Sequence, residues 1–495
     1  MPSIASLEET GQTSTPSFQL DTVGETSPVF ELAEGSELFH TPDGNAYASV
    51  FVQEHVETWA IKSRGFKQWL SRYFYKTEGK VPSHRKMDEA LRTLEGMAKF
   101  DGETREVHLR LAEHDGDIYL DLADDEWRVV RVTRDGWKVM PGGDAPVRFQ
   151  RRQGMLALPE PEHGGSLDEL RTFINVKGED DWVLLASWAV AALRPRGPYP
   201  ILALHGEQGS SKSTTARLLC SLIDPNTAAL RSEPRNERNF MIAATNKWLF
   251  TLDNLSNVSG RLSDSLCRLA TGGGFATREL RTDNEEIIFN AQRPIILNGI
   301  EEVATRSDLL DRALILYLPS IPEDRRRAED EMKAAFEQAR PRILGALLGA
   351  VSVGLRNIAT VQLTNSPRLA DFAKWATAAE TGLGLVAGAF HDVYARNREA
   401  AHELVLDSSP VGKTVLALMS QRDEFETTAG ELLRELNMVA SRDTRRLKEW
   451  PKTAKGMSDA LRRVVGTLRA AGVNVELGSR EGGTGRRLIL LKRVR

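Results

Sequence analysis

The sequence predicts an α/β protein built on a parallel sheet, with an N-terminal α+β region before it and a small helical module with a hairpin after it. Three observations predict this. In Tyr199 to Ser213, YPILALHGEQGSSKS, the apolar run Ile201 to Leu204 meets a glycine-bearing turn, and a helical pattern follows through Leu218, Leu219 and Leu222. That is the strand, loop and helix order of a phosphate-binding P-loop. Further on, the hydrophobic runs Trp248 to Leu252 and Pro294 to Leu297 each end in a polar residue, Asp253 and Asn298. Last, three helical patterns between Val415 and Ala471 precede two apolar strands joined by Gly482-Gly483-Thr484-Gly485.

In chain order, residues 1–35 are rich in Ser, Thr, Glu and Gly and read as a disordered leader. Residues 36–158 read as an N-terminal α+β domain. Its first half, about Ala46 to Phe100, carries helical patterns such as Phe66-Trp69-Leu70-Phe74. Its second half alternates at Val107-Leu109-Leu111 and at Ile118-Leu120-Leu122. With Trp127-Val129-Val130-Val132 and Trp137-Val139, these predict a small antiparallel sheet. The acidic group Asp121, Asp124, Asp125 and Glu126 contains no basic or His residue and reads as a solvated hairpin turn. A linker at Pro159 to Gly165 leads to a helical segment over 166–198, the P-loop core over 199–320, a helical subdomain over 321–405 and the terminal module over 410–495.

Composition sets bounds. The 495 residues are 41% hydrophobic and 27% charged, with a net charge of −4, so any contact with nucleic acid must be local. Cys220 and Cys267 have no metal-ligand spacing and read as small buried residues. No signal peptide is visible, and the longest apolar runs fall short of the roughly 20 residues a membrane helix needs. These features predict a cytoplasmic protein without a membrane partner.

In the P-loop, the backbone N–H groups of Gly206, Glu207, Gln208, Gly209, Ser210 and Ser211 can wrap an anion, with Thr214 in the first helical turn. Lys212 would reach the β- and γ-phosphates of ATP, and the Ser213 hydroxyl would ligate Mg²⁺. Ser211 stands where such loops usually carry a glycine, a position that favours positive φ. Asp253 suits the carboxylate that holds Mg²⁺ or polarises water, although Asn254 follows it where a second acid is usual. Asn298 can contact the γ-phosphate. Arg312, or Arg306, lies where an arginine could face a neighbouring subunit's nucleotide.

In this order, GEQGSSKS, WLFTLDN, LATGGGFATREL and RPIILNGI resemble the superfamily-three helicases, hexameric AAA+ motors of viruses, phages and plasmids. They are similar in particular to the helicase half of phage and poxvirus-type primase-helicases. The resemblance covers roughly Pro200 to Pro319 and implies a P-loop AAA+ core. It further implies that Lys212 and Ser213 bind the Mg²⁺-triphosphate, that Asp253 is the Walker B acid and that Asn298 is the sensor. The Thr271 to Arg281 segment would lead to a hairpin gripping single-stranded DNA in the ring's pore. Because the tip Asp283-Asn284-Glu285-Glu286 is acidic, Arg278 and Arg281 would make the grip. No primase pattern is apparent, which implies a separate primase partner.

The terminal module reads as a winged helix. Leu461, Val464, Val465 and Leu468 form an inward stripe, with Arg462, Arg463 and Arg469 outside it and Arg486 and Arg487 at the wing. Residues 442–495 hold 15 Lys and Arg against 5 Asp and Glu, a basic patch suited to duplex DNA. Together these features predict an ATP-dependent, ring-forming DNA helicase or translocase for phage or mobile-element replication. A second reading is a winged-helix DNA-binding regulator or defence protein whose ATPase is a switch; the lone acid at Asp253 and the acidic hairpin tip favour it.

Overall fold

A computed structural model describes residues 28–256, 258–278, 286–289, 291–299, 306–363, 367–480 and 487–494. The chain forms two compact units, one of residues 1–51 and 58–105, the other of residues 52–57 and 106–495. This division falls inside the 36–158 segment, and the predicted antiparallel sheet groups with everything that follows it.

The first unit begins with α1 (Pro28–Glu34), where Leu32 is already buried, so the predicted leader contains an ordered helix. Strands β1 (Glu37–His40), β2 (Ala46–Val52) and β3 (His55–Ala60) follow, with β1 antiparallel to β2 and parallel to β4 (Glu103–Thr104). The helical reading of residues 46–60 is thus corrected. AYASVFV and HVETWA are rich in aromatic and β-branched residues, which fit a pleated surface better than a helix. Helices occur where predicted from Arg64 onward, as α2 (Arg64–Glu78) and α3 (His84–Phe100). Ser63 and Ser83 cap them by accepting from Phe66 N and Lys86 N, satisfying N–H groups that a first turn leaves open.

In the second unit, β5 (Val107–His108) pairs with β10 (Arg148–Phe149), so the alternating run at 107–111 divides between two sheets. The predicted antiparallel sheet is β6 (Leu111–His114), β7 (Asp117–Asp121), β8 (Arg128–Thr133) and β9 (Gly136–Pro141), paired in sequence order. The acidic group beside it is a solvated turn only in part: Asp125 and Glu126 are exposed in a turn, whereas Asp121 and Asp124 are paired. Asp121 is buried and receives two bonds from Arg151, at 2.8 and 3.1 Å, while Arg128 reaches Asp124 at 2.6 Å. Arg151 comes from 30 residues away, which local sequence does not reveal.

Helices α4 (Leu167–Arg171) and α5 (Glu179–Ala192) lead to the main sheet. Its strands are β11 (Ile201–His205), β12 (Phe250–Leu255), β15 (Ile295–Gly299) and β16 (Ala313–Tyr317), all parallel, in the order β12-β15-β11-β16. Leu202 and Leu204 enter the core shared with α5, α6 (Lys212–Ile223) and α10 (Glu329–Asn357). Ile201 and Ala203 face α7 (Glu237–Thr245), α8 (Gly260–Thr271) and α9 (Ser307–Leu310). A strand buried on both faces is continuously apolar, which is why ILAL reads as it does. Between α8 and β15, β13 (Phe275–Arg278) and β14 (Glu286–Phe289) pair antiparallel.

Beyond α10, α11 (Ala370–Ala379) and α12 (Ala389–Ser408) complete the helical segment. The terminal module comprises α13 (Pro410–Met419), β17 (Glu424–Thr428), α14 (Ala429–Val439), α15 (Arg442–Arg446), α16 (Ala454–Ala470), β18 (Val473–Arg480) and β19 (Arg487–Arg493). The sequence pattern does not mark β17, whose polar EFETT lacks an apolar alternation. It pairs with β19, giving the order β17-β19-β18. Of the predicted stripe, Leu461, Val464 and Leu468 are buried, and Val465 at its edge is half-buried.

One buried ion pair ties the antiparallel sheet to the main one. Arg110, fully buried, donates to Asp224 at 3.0 Å and to the carbonyls of Asp121 and Leu156. Asp224, the C-cap of α6, also accepts from the N–H groups of Trp248 and Leu249 just before β12. Removing one member would strand a buried charge at a cost of about 3–5 kcal/mol. Asp224→Ala is therefore expected to lower the melting temperature sharply in a thermal scan, and an unchanged melt would contradict the pair's structural role.

Candidate functional site

The site forms where β11, held by parallel neighbours on both sides, ends at His205 and turns into α6. Gly206 (φ 147°) packs so closely that an added Cβ would lie 2.4 Å from Leu318 O, and Gly209 adopts φ 83°. Ser211, in the place where glycine was expected, adopts φ 65° and ψ 27°. The left-handed conformation costs a non-glycine residue about 1–2 kcal/mol. The predicted departure from glycine therefore stands here as backbone strain at the start of α6.

Lys212 curls back over the loop. Its Nζ donates to Gly206 O at 2.7 Å, Glu207 O at 2.8 Å and Ser210 Oγ at 3.3 Å. Burial depresses its pKa, partly offset by the Asp253 carboxylate. Ser210 is buried, Glu207, Gln208 and Gly209 are exposed, and Thr214 is half-buried in the first turn of α6.

Ser213, Asp253 and Asn298 come together beside the loop. Ser213 Oγ donates to Asp253 Oδ1 at 2.9 Å, and Asn298 Nδ2 donates to Ser213 Oγ at 2.9 Å and also to Asp253 Oδ1. Asp253 lies within β12 rather than at its end. The register with β15 shifts between Leu252 and Leu255, where Asn254 takes φ 54°, and this bulge marks where β12 stops following β15 in regular register. Asp253 N is held by Arg231 O at 2.8 Å. The hydroxyl and carboxylate are hard oxygen donors of the kind Mg²⁺ takes alongside phosphate oxygens, so the residues fit that ion.

Sequence reasoning missed three neighbours of the loop. Buried His205 is pushed down to about 4 by burial and by Lys212, and its Nε2 has no hydrogen-bond partner among the described residues. A neutral folded His that charges when unfolded contributes stability above about pH 6.5, and that contribution is lost as pH falls towards 4. Asn175 Nδ2 bridges Ser210 O (3.3 Å) and Pro319 O (2.6 Å) from a segment read only as helical linker. Arg326 lies over Gly209, and its signal was the basic triplet Arg325 to Arg327 soon after the last strand.

Other predicted residues lie apart from this cluster. Arg312 Nη1 donates to Asp308 O at 2.8 Å, while Arg306 pairs with Asp308 at 3.2 Å and Asp264 at 3.6 Å. Arg368 and Arg398 pair with Asp311. Arg278 ends β13, opposite Glu286; its side chain, Arg281 and the tip at 283–285 lie outside the described residues. On α16, Arg463 is exposed, Arg462 reaches Asp459 at 3.5 Å and Arg469 donates to Asn474 at 3.1 Å. Arg487 is exposed on β19, and Arg486 with the glycine turn lies outside the described residues. Cys220 and Cys267 are buried free thiols, both pushed up to about 11 by burial. Among the described residues no helix is long and apolar enough to cross a membrane.

Residues 167–395 match the family model of the actinomycete integrative conjugative element replication protein, a span containing the whole cluster. Residues 411–495 match that of the AICE RepA C-terminal domain. No curated protein matches the sequence. Among solved structures, the chain is similar to one described as "SCCmec type IV Cch - active helicase", with 13% identity, 92% of each chain covered and a TM-score of 0.48. It is also similar to the apo A form of the NrS-1 C-terminal region, with 12% identity, 95% of this chain and 100% of that one covered, and a TM-score of 0.41.

The strain at Ser211 makes a directional prediction. On the sequence's expectation of a nucleotide at this loop, Ser211→Gly is expected to bind it at least as tightly as the wild type, because glycine tolerates φ 65°. Ser211→Val places a β-branched residue there and is expected to weaken binding roughly tenfold. A nucleotide titration in which the Val variant matches the wild type would contradict the assignment of strain to this residue.

Proposed function

We propose that this chain, matched over residues 167–395 to a replication-protein family of conjugative elements, is an ATP-driven DNA helicase or translocase that works as a ring. The observation that carries the reading is the convergence of Ser213, Asp253 and Asn298 beside a glycine-bearing loop whose lysine already rests on three loop oxygens. In this reading Gly206 to Ser213 is a P-loop. Lys212 exchanges its loop oxygens for phosphate oxygens, and the loop N–H groups with the α6 N-terminus complete the cradle. Ser213 and Asp253 would hold Mg²⁺, which neutralises charge on the β- and γ-oxygens. Asn298, already bonded to both side chains, would turn its amide to the γ-phosphate and the attacking water.

Around that centre the proposal places the DNA contacts and the subunit contacts. The β13–β14 hairpin, with Arg278 and Arg281, would hold single-stranded DNA. Arg312, after releasing Asp308 O, or Arg306 would complete a neighbouring subunit's site. The terminal module would be a winged helix that brings Arg462, Arg463, Arg469, Arg486 and Arg487 to duplex DNA. A primase would act as a separate partner. The second reading, an ATPase switch on a DNA-binding regulator, draws on Asn254: beside Asp253 it offers an amide where a second carboxylate would polarise water.

Strand displacement on a forked duplex with ATP separates the two. The motor reading predicts displacement by the wild type and none by Lys212→Ala; ATP turnover with no displacement on any fork would overturn it in favour of the switch. For the terminal module, replacing Arg462, Arg463 and Arg469 by Gln is expected to reduce the slope of log affinity against log salt. The reduction should be about one unit for each phosphate that the protein no longer neutralises. An unchanged slope would show that α16 does not meet the duplex.

A further inference from the structure

After β16 the chain returns across the phosphate-binding loop and is fastened to it. Leu318 N donates to His205 O at 2.8 Å, Asn175 links Pro319 O to Ser210 O, and Ile321 N donates to Gly209 O at 3.3 Å. Gly206 has no Cβ to hold Leu318 O away, so the two backbones can lie this close. A short turn at Glu323–Arg325 follows, and Arg326 N donates to Glu323 O at 3.3 Å. This path returns the Arg326 side chain to the loop. Its Nε donates to Ile321 O at 3.3 Å, and its Nη2 stands 3.5 Å from where a Cβ on Gly209 would be.

We propose that Arg326 is a second phosphate-binding residue of the nucleotide site, acting on the nucleotide of its own subunit; this rests on the P-loop reading above. Two features set it apart from an ordinary surface arginine. Its guanidinium is anchored through Nε alone, and among the described residues no carboxylate pairs with it, although Glu323 and Asp324 are close in sequence. The two Nη groups remain to donate. An anchored planar fork of donors is suited to two oxygens of one phosphate. The action is in cis because the 318–326 segment is tied beside the loop of its own chain, by Leu318 N to His205 O, by Ile321 N to Gly209 O and through Asn175, which links Pro319 O to Ser210 O. Arg312 differs in being bonded through Nη1 to a backbone carbonyl, Asp308 O.

The test titrates a fluorescent ATP analogue, with Mg²⁺, into full-length wild type, Arg326→Ala, Arg326→Lys and Lys212→Ala. Arg326→Ala is expected to bind roughly tenfold more weakly, the loss of one charge-assisted hydrogen bond, with an unchanged melting temperature. Arg326→Lys is expected to recover part of the affinity, which a purely structural role would not produce. Mixing Arg326→Ala with Lys212→Ala subunits is expected to leave the weakened affinity as it was, because neither mutant can repair a defect in the other's own site. Wild-type affinity in Arg326→Ala, with binding lost in Lys212→Ala, would overturn this role while leaving the P-loop reading intact. Restoration on mixing would overturn the cis assignment. Wild-type affinity in Lys212→Ala would overturn the P-loop reading itself, and the role of Arg326 with it.

Discussion

The arrangement depends on the double-sided burial of β11. Its backbone is bonded to β15 on one side and β16 on the other, and its side chains alternate into two different cores. The strand's end is therefore fixed before the loop begins. Residues 206–211 must reverse direction in a confined space, and they do so with two glycines and one strained serine at positive φ. Everything chemical follows from where that turn releases the chain. Lys212 and Ser213 open α6, and the neighbouring parallel strands β12 and β15 bring Asp253 and Asn298 to the same level.

Much of this was legible because it is local. The apolar runs of β12 and β15 mark buried parallel strands, and the polar residues that follow them, Asp253 and Asn298, are side chains that converge with Ser213. The terminal module was legible in part: the stripe through Leu461, Val464 and Leu468 shows the inward face of α16, whereas polar β17 carries no pattern and exists through its pairing with β19. The errors have physical causes too. Residues 46–60 adjoin strongly helical patterns, yet their aromatic and β-branched content belongs to strands. Asp121 read as solvated because its partner, Arg151, arrives from a distant segment.

The residues that sequence reasoning missed share that cause. Asn175 and Arg326 belong to segments on either side of residues 199–320, and each reaches the loop only because a chain crossing brings it there. His205 stayed hidden for a different reason: a histidine closing an apolar strand gives no sign of its protonation until its burial and the lysine beside it are placed. The antiparallel sheet is likewise more than a neighbour. Through Arg110 it grips Asp224, which caps α6 and orders the approach to β12, so the two elements that carry Ser213 and Asp253 share one buried anchor.

The central claim is that Ser213 and Asp253 hold the metal of a bound nucleotide. Electron paramagnetic resonance of Mn²⁺, standing in for Mg²⁺, tests it with ATP and the full-length chain. The account predicts one tightly bound Mn²⁺ per subunit that requires ATP, shows coupling to phosphate phosphorus and disappears in Asp253→Ala. An Asp253→Ala protein that binds Mn²⁺ and ATP with the wild-type signal would contradict it.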